Sequence, residues 1–316
     1  MPIRAVALGA TLTFAFSAAA LADPIAGGGP LVSAEWLQAN LADPRLAVLD
    51  VRSGIDGGSA ETFATGHVPG AVHSDYLTAG WRVERDGAPG MLPEIGALEA
   101  LIGGLGIDNG DHVVIVPAGL TSTDLGSATR VYWTFKVLGH DAVSILDGGT
   151  VGWVAAGLPT ESGASASEPA TFTATFRSEL LATEDDVRAA VEHPGVVTLI
   201  DARPVEQYLG LGQHPAAGAA GTLPGAVNTP QESLATIDGA HLRNAQTLDY
   251  LFAQAGIADD RPNIAFCNTG HWASIAWFAS SEILGQHSQL YDGSMVQWTA
   301  DPDNPVAVPA SAVAAQ

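Results

Sequence analysis

The feature that most constrains this chain is that it contains the same run of motifs twice. An apolar segment, Leu46-Ala47-Val48-Leu49, ends in Asp50-Val51-Arg52; roughly 150 residues on, the apolar stretch to Ile200 ends in Asp201-Ala202-Arg203. Gly66-His67-Val68-Pro69-Gly70-Ala71 is matched by Gly221-Thr222-Leu223-Pro224-Gly225-Ala226. Val113 to Val116 is matched by Asn263 to Phe266, each leading through a small-residue loop into an amphipathic stretch that closes on Leu138-Gly139 or Leu284-Gly285. Leu146-Asp147-Gly148-Gly149 with Trp153 is matched by Tyr291-Asp292-Gly293-Ser294 with Trp298. Five features in one order mean two copies of one domain.

Short apolar runs alternating with longer helical patterns predict an α/β fold, each copy a mostly parallel sheet flanked by helices. We place the first copy at 31–160 and the second at 172–310, each of ordinary domain size. Residues 161–171 between them open Glu161-Ser162-Gly163-Ala164-Ser165, a linker's composition. The stretch after Trp298 is rich in Pro, Ala and Val without periodicity and is expected to be irregular surface coil.

The first 22 residues stand apart. Arg4 precedes an uncharged run from Ala5 to Ala20, and Ala20-Leu21-Ala22 has the small-x-small spacing of a signal-peptidase site. The expectation is an exported, periplasmic protein whose mature chain begins at Asp23. No later segment is apolar for long enough to span a bilayer, so no membrane association is expected after processing. Across all 316 residues the net charge is −22, which argues against nucleic acid and anionic membrane surfaces as partners, since both need a cationic face.

A single cysteine excludes an intrachain disulfide and a Cys-rich zinc site. The nine histidines lack close ligand spacing, and Asp108 to Asp111 falls short of a calcium loop, so no metal is expected. Cys267 itself follows Ile264-Ala265-Phe266, at the carboxyl edge of a parallel strand, where ligand sites of open α/β sheets lie. Asn268-Thr269-Gly270-His271-Trp272 then leads into a stretch with Ile275, Phe278, Ala279 and Ile283 at helical spacing. Loop amides and a helix start converging on the sulfur favour its anionic, nucleophilic form. Gly270 gives the loop access to a positive φ. A lone cysteine is also commonly a small buried hydrophobe; its place after a sheet strand, before a glycine loop and in an exported chain argues for chemistry.

Together, the paired Asp-x-Arg strands, the Gly-x-x-Pro-Gly-Ala turns, the Asp-Gly-Gly/Ser…Trp segments and the cysteine loop resemble a tandem rhodanese sulfurtransferase. The resemblance runs from about Leu31 to Val308. It implies a catalytic second copy and a degenerate first one, matching Pro117-Ala118-Gly119-Leu120 where no thiol stands. It also implies a two-step reaction with no cofactor or metal. Cys267 takes a sulfane sulfur from a small donor, and a thiol or cyanide acceptor, or a periplasmic sulfur-carrier protein, removes it. The alternative on the same scaffold is a sulfur carrier or binding module without turnover.

The chain departs from its relatives at the loop. Asn268 and Thr269 stand where thiosulfate-using relatives tend to carry Arg and Lys, and the loop does not match the mercaptopyruvate-using pattern either. Gln207 stands where the family often has a substrate-contacting Arg, so the pocket is expected to be poor in cations. Asp201 and Arg203 are expected to be a structural ion pair near the loop, like Asp50 and Arg52. His271 either orients a donor or assists proton transfer, or is a solvent-facing loop histidine. Trp272 either walls the pocket or anchors the loop by burial, the second being favoured. A cysteine phosphatase is disfavoured, because Ala273 and Ser274 stand where its loop-closing Arg belongs.

Overall fold

Strands form where the short apolar runs predict them. The computed structural model describes residues 22–238 and 241–309, so the expected signal peptide lies outside the described residues apart from Ala22. The first copy contributes β1 (Leu31–Val32), β2 (Leu46–Asp50), β3 (Val72–His73), β4 (Val83–Arg85), β5 (Ala88–Met91), β6 (His112–Val116) and β7 (Val143–Leu146). The second contributes β8 (Thr198–Asp201), β9 (Val227–Asn228), β10 (Asn263–Phe266) and β11 (Ser288–Leu290). The helices of the first copy are α1 (Ala34–Asn40), α2 (Ala60–Thr65), α3 (Ile95–Gly104), α4 (Ser122–Val137) and α5 (Gly149–Ala155). Those of the second are α6 (Glu184–Glu192), α7 (Val205–Tyr208), α8 (Gln231–Leu234), α9 (Ala245–Gln254), α10 (Ala273–Phe278) and α11 (Ser294–Trp298).

Both large sheets are parallel, ordered β1-β7-β6-β2-β3 and β11-β10-β8-β9, so the repeated motifs occupy equivalent places. The counterpart of β1 in the second copy has shrunk to a parallel bridge between Leu181 and Leu290. Each Asp-x-Arg motif does the same job. Arg52 pairs with Asp50 at 2.9 Å and donates to the Gly66 carbonyl; Arg203 pairs with Asp201 at 2.6 Å and donates to the Gly221 carbonyl. The arginine thus ties the strand exit to the following Pro-Gly turn, which is why the two motifs recur together. Both pairs are buried, as the expected structural role requires, and stranding one partner would cost about 3–5 kcal/mol.

Helix starts follow their caps. Thr121 and Asp124 satisfy each other's end of α4, and Thr183 and Asp186 do the same for α6. Apart from its first two residues and Lys136, α4 is buried on every side, because it lies between the copies and packs on α10. Tyr132 meets Phe278 edge-on at 4.9 Å, and the hydroxyls of Thr129 and Ser274 are 2.7 Å apart. One apolar core therefore runs from Leu49 and Ile115 through α4 and α10 to Ile200 and Leu290.

The stretch after residue 160 is strapped to the first copy. The amides of Ala170 and Thr175 donate to Gly103 and Leu138, and Phe172 is buried against Phe135. Its Ser-Gly-Ala composition hides this, because the bonds are made by backbone. The tail after Trp298 is irregular, as expected, yet pinned: Thr222 and Ala307 exchange two backbone hydrogen bonds.

Candidate active site

Cys267 is placed by β10, which lies between β8 and β11 and ends one residue before it. The residue is 1% exposed, and it lines a cavity of about 290 Å³ between the two copies. Its own copy supplies Asn268, Thr269, His271, Trp272 and His214; the other supplies Ile55, Leu77, Arg82 and Thr123. The cavity opens at the carboxyl edge of the parallel strands, where the sequence puts it.

The loop is held from below by the second Asp-Gly segment. Ser294 Oγ accepts from the amides of Cys267 (3.0 Å) and Gly270 (3.1 Å) and donates to the Tyr291 carbonyl. To do so Ser294 adopts φ +49°, in the left-handed region that a side chain resists; its counterpart in the first copy, Gly149, sits at +56°. Strain of this kind costs of order 1–3 kcal/mol and persists where surrounding bonds over-determine it. The amides of Asn268, Thr269, His271 and Trp272 have no acceptor among the described residues. Gly270 takes the expected positive φ, +71°, and a Cβ there would also stand 2.5 Å from Arg130 Nη1.

His271 is not solvent-facing. Only 6% exposed, it ends a hydrogen-bonded chain whose direction is fixed. The Thr123 carbonyl, 2.9 Å from Nε2, can only accept, so Nε2 carries the proton and Nδ1 accepts from the Tyr76 hydroxyl at 2.8 Å. The Tyr76 oxygen in turn accepts from Arg82 Nη1 at 2.9 Å. Burial, reinforced by the Arg82 and Arg130 cations, lowers the His271 pKa to about 3. With both nitrogens engaged, the neutral imidazole braces the cysteine loop against the first copy. Its ring lies 2.8 Å from where a Cβ on Gly126 would be, so α4 needs glycine there.

Trp272 is half-buried and walls the cavity, the less favoured of its two expected roles. Gln207 reaches the loop, accepting from Asn268 Nδ2 at 2.9 Å, but stands behind Asn268 and is not among the residues lining the cavity. Asp201 is beside the loop, paired in register with Phe266. The site is also less poor in cations than positions 207, 268 and 269 suggest. Arg82 lines the cavity, and Arg130 lies fully buried beneath the loop, donating to the Gly270 carbonyl at 3.3 Å with its Nη2 3.6 Å from the Asp292 carboxylate. Burial lowers the Arg130 pKa, with Asp292 opposing. Asp292 also accepts from the Leu92 amide at 2.6 Å, across the copies.

Tyr76, Arg82, Thr123, Arg130, Asp292 and Ser294 were not singled out as site residues. Two signals existed. Asp86-Gly87 between short strands is a hairpin signature, and the hairpin of β4 and β5 carries Arg82 at its base. The change from Gly149 to Ser294 between otherwise matching segments marks the place where a hydroxyl was added. The first copy's loop is closed differently: the Asp124 carboxylate accepts from the amides of Gly119 (2.6 Å), Leu120 (3.1 Å) and Thr121 (2.5 Å). Among the described residues no group of three metal-ligating side chains could hold an ion.

The family model described as "Rhodanese-like domain" matches residues 33–156 and 183–301. The chain is 31% identical to the 3-mercaptopyruvate sulfurtransferase of Escherichia coli K12 over 87% of its length and 96% of the relative's. It is 34% identical to the thiosulfate sulfurtransferase of Bos taurus, covering 85% and 91% of the two chains. The crystal structure of SseA from Escherichia coli, described as having the "Rhodanese" fold, matches with a TM-score of 0.71 at 28% identity, over 84% of this chain and 98% of that one.

Proposed function

Because the chain belongs to the tandem-domain rhodanese family of sulfurtransferases, we propose that it moves a sulfane sulfur from a small donor through a persulfide on Cys267 to a thiol or cyanide acceptor. The observation that carries this reading is the position of the only thiol: on the wall of the inter-copy cavity, in a loop whose amides are largely unpaired.

With thiosulfate as donor, the Cys267 thiolate attacks the outer sulfur. A new S–S bond forms at Cys267, the donor's S–S bond breaks, and its electron pair leaves on sulfite. An acceptor thiolate then attacks the outer sulfur of the persulfide, carries it away and returns the Cys267 thiolate; cyanide leaves as thiocyanate. Neither displacement moves a proton, so the reaction asks for fixed hydrogen-bond donors rather than a proton relay. The free loop amides supply them, each hydrogen bond to a charged group being worth about 1.5–3 kcal/mol. His271, held neutral, keeps the loop against the first copy while Ile55, Leu77 and Trp272 limit water at the sulfur.

Intact-mass analysis tests the reading. Protein incubated with a sulfane donor should gain one sulfur, removable by cyanide; an unchanged mass with every donor would overturn it. Loading without steady-state turnover would favour the carrier alternative. We also propose that the protein is exported, which the run before Ala22 supports; N-terminal sequencing of periplasmic material should begin at Asp23, and a cytoplasmic protein retaining Met1 would refute it.

A further inference from the structure

The cavity wall carries one cation whose role the loop chemistry does not explain. Arg82 donates one N–H to Tyr76, and among the described residues it forms no ion pair with any carboxylate, in a chain of net charge −22. Its guanidinium is only partly buried and faces the space that Cys267 lines. Arg82 Nη2 and the Thr269 carbonyl both lie within 3.1 Å of the point a Cβ on Gly90 would occupy, which sets the guanidinium directly beside the cysteine loop. Its plane is steadied over the Tyr76 ring, 5.3 Å from the centroid. A guanidinium fixed at the edge of a cavity without a resident counter-charge is a binding group for anions, in forked geometry that suits carboxylate, sulfonate and sulfinate oxygens. Beside the polar residues of the cysteine loop, Ile55, Leu77 and Trp272 add apolar wall to the cavity, a surface that an ion as polar all round as thiosulfate leaves unmatched.

We propose that Arg82, carried by the copy without the cysteine, is the anion-binding and specificity-determining residue of this site, and that it selects sulfane donors joining one anionic group to an apolar body. Arylthiosulfonates are the simplest probes of that class. The Cys267 thiolate takes the outer sulfur, the S–S bond to the sulfonyl group breaks, and the pair leaves on the arylsulfinate, whose oxygens Arg82 holds. The choice of donor rests on the sulfurtransferase reading; the anion-binding role of Arg82 does not.

Two measurements separate them. Cys267 is the only thiol, so its alkylation by iodoacetate and by iodoacetamide, near-isosteric reagents differing in charge, reports how strongly the cavity draws anions. The iodoacetate-to-iodoacetamide rate ratio should fall about tenfold in Arg82→Gln and recover most of that in Arg82→Lys; the neutral reagent corrects for any loosening of the Tyr76–His271 chain. A ratio equal to wild type in Arg82→Gln, or no alkylation of the wild type by either reagent, overturns the proposal. Separately, the KM for an arylthiosulfonate should rise about tenfold in Arg82→Gln. If the alkylation ratio responds while wild-type protein forms no persulfide from any donor, the anion site stands and the sulfurtransferase reading fails. If persulfide forms but the arylthiosulfonate KM is indifferent to Arg82, the donor class is overturned.

Discussion

Arg130, on a helix of the first copy, donates to the carbonyl of Gly270 in the cysteine loop of the second, and its partner charge is Asp292, 3.6 Å away. The residue that shapes the floor of the loop thus belongs to the copy that has no thiol. Its Nε and Nη2 find no hydrogen-bond acceptor, so burial is offset mainly by the Asp292 charge.

Arg130→Met should therefore cost about 3–5 kcal/mol, because it leaves Asp292 as a lone buried carboxylate. Adding Asp292→Asn should restore part of the loss, since the uncharged amide can still accept from Leu92. Urea unfolding of the two variants checks this; a single-variant loss under about 1 kcal/mol would contradict it.

Cys267→Ser should stay folded and lose both the added sulfur and turnover. The swap keeps the volume but buries a hydroxyl in place of the thiol, so urea unfolding should report a loss of about 1–3 kcal/mol with the cooperative transition intact. Sulfur transfer surviving in this variant would place the chemistry elsewhere.

Stability should fall in mild acid. Burial depresses the pKa of His271 to about 3 and of His112 to about 4, both below the ordinary 6.5. The unfolded chain therefore binds protons near pH 6.5 that the folded chain refuses. The stability these neutral rings contribute is complete above pH 6.5 and lost as pH falls toward 3–4, by about 1.4 kcal/mol per pH unit for each ring. Unfolding curves between pH 7 and 4.5 should show the decline, and His271→Gln should flatten it. A slope identical in the variant would remove His271 from the account.

Thiosulfate should be a weak donor whose KM, near or above about 1 mM, depends strongly on ionic strength, because a chain of net charge −22 meets the dianion with one guanidinium on the cavity wall. Gln207→Arg should not rescue it: the new side chain cannot accept from Asn268 and starts from behind that residue, away from the cavity wall. A severalfold drop in the thiosulfate KM of Gln207→Arg would show that the guanidinium swings round into the cavity.

The two sheets, the Asp-x-Arg pairs and the carboxyl edge that Cys267 occupies could be read from the repeat, because each is marked by a short run of residues that recurs in both copies. His271 could be named but not understood. Its partners Tyr76 and Thr123 precede it by 195 and 148 positions, and no local pattern says which loops of two domains will meet. Arg82 and Arg130 are hidden for the same reason: both stand in the copy without the thiol, far along the chain from positions 207, 268 and 269.

In the first copy, the loop matching the cysteine loop already holds an anion, the carboxylate of Asp124, bonded to three successive amides. Because that carboxylate is tethered a few residues away, it competes at an effective concentration no dissolved ion matches. A duplicated sulfur-handling loop would ordinarily be a second port, open to stray sulfite, thiosulfate or phosphate; here the port is plugged by the chain itself. On the proposed reading each molecule should therefore load a single sulfur, while the copy without a thiol gives the other a wall, a floor and a clamp.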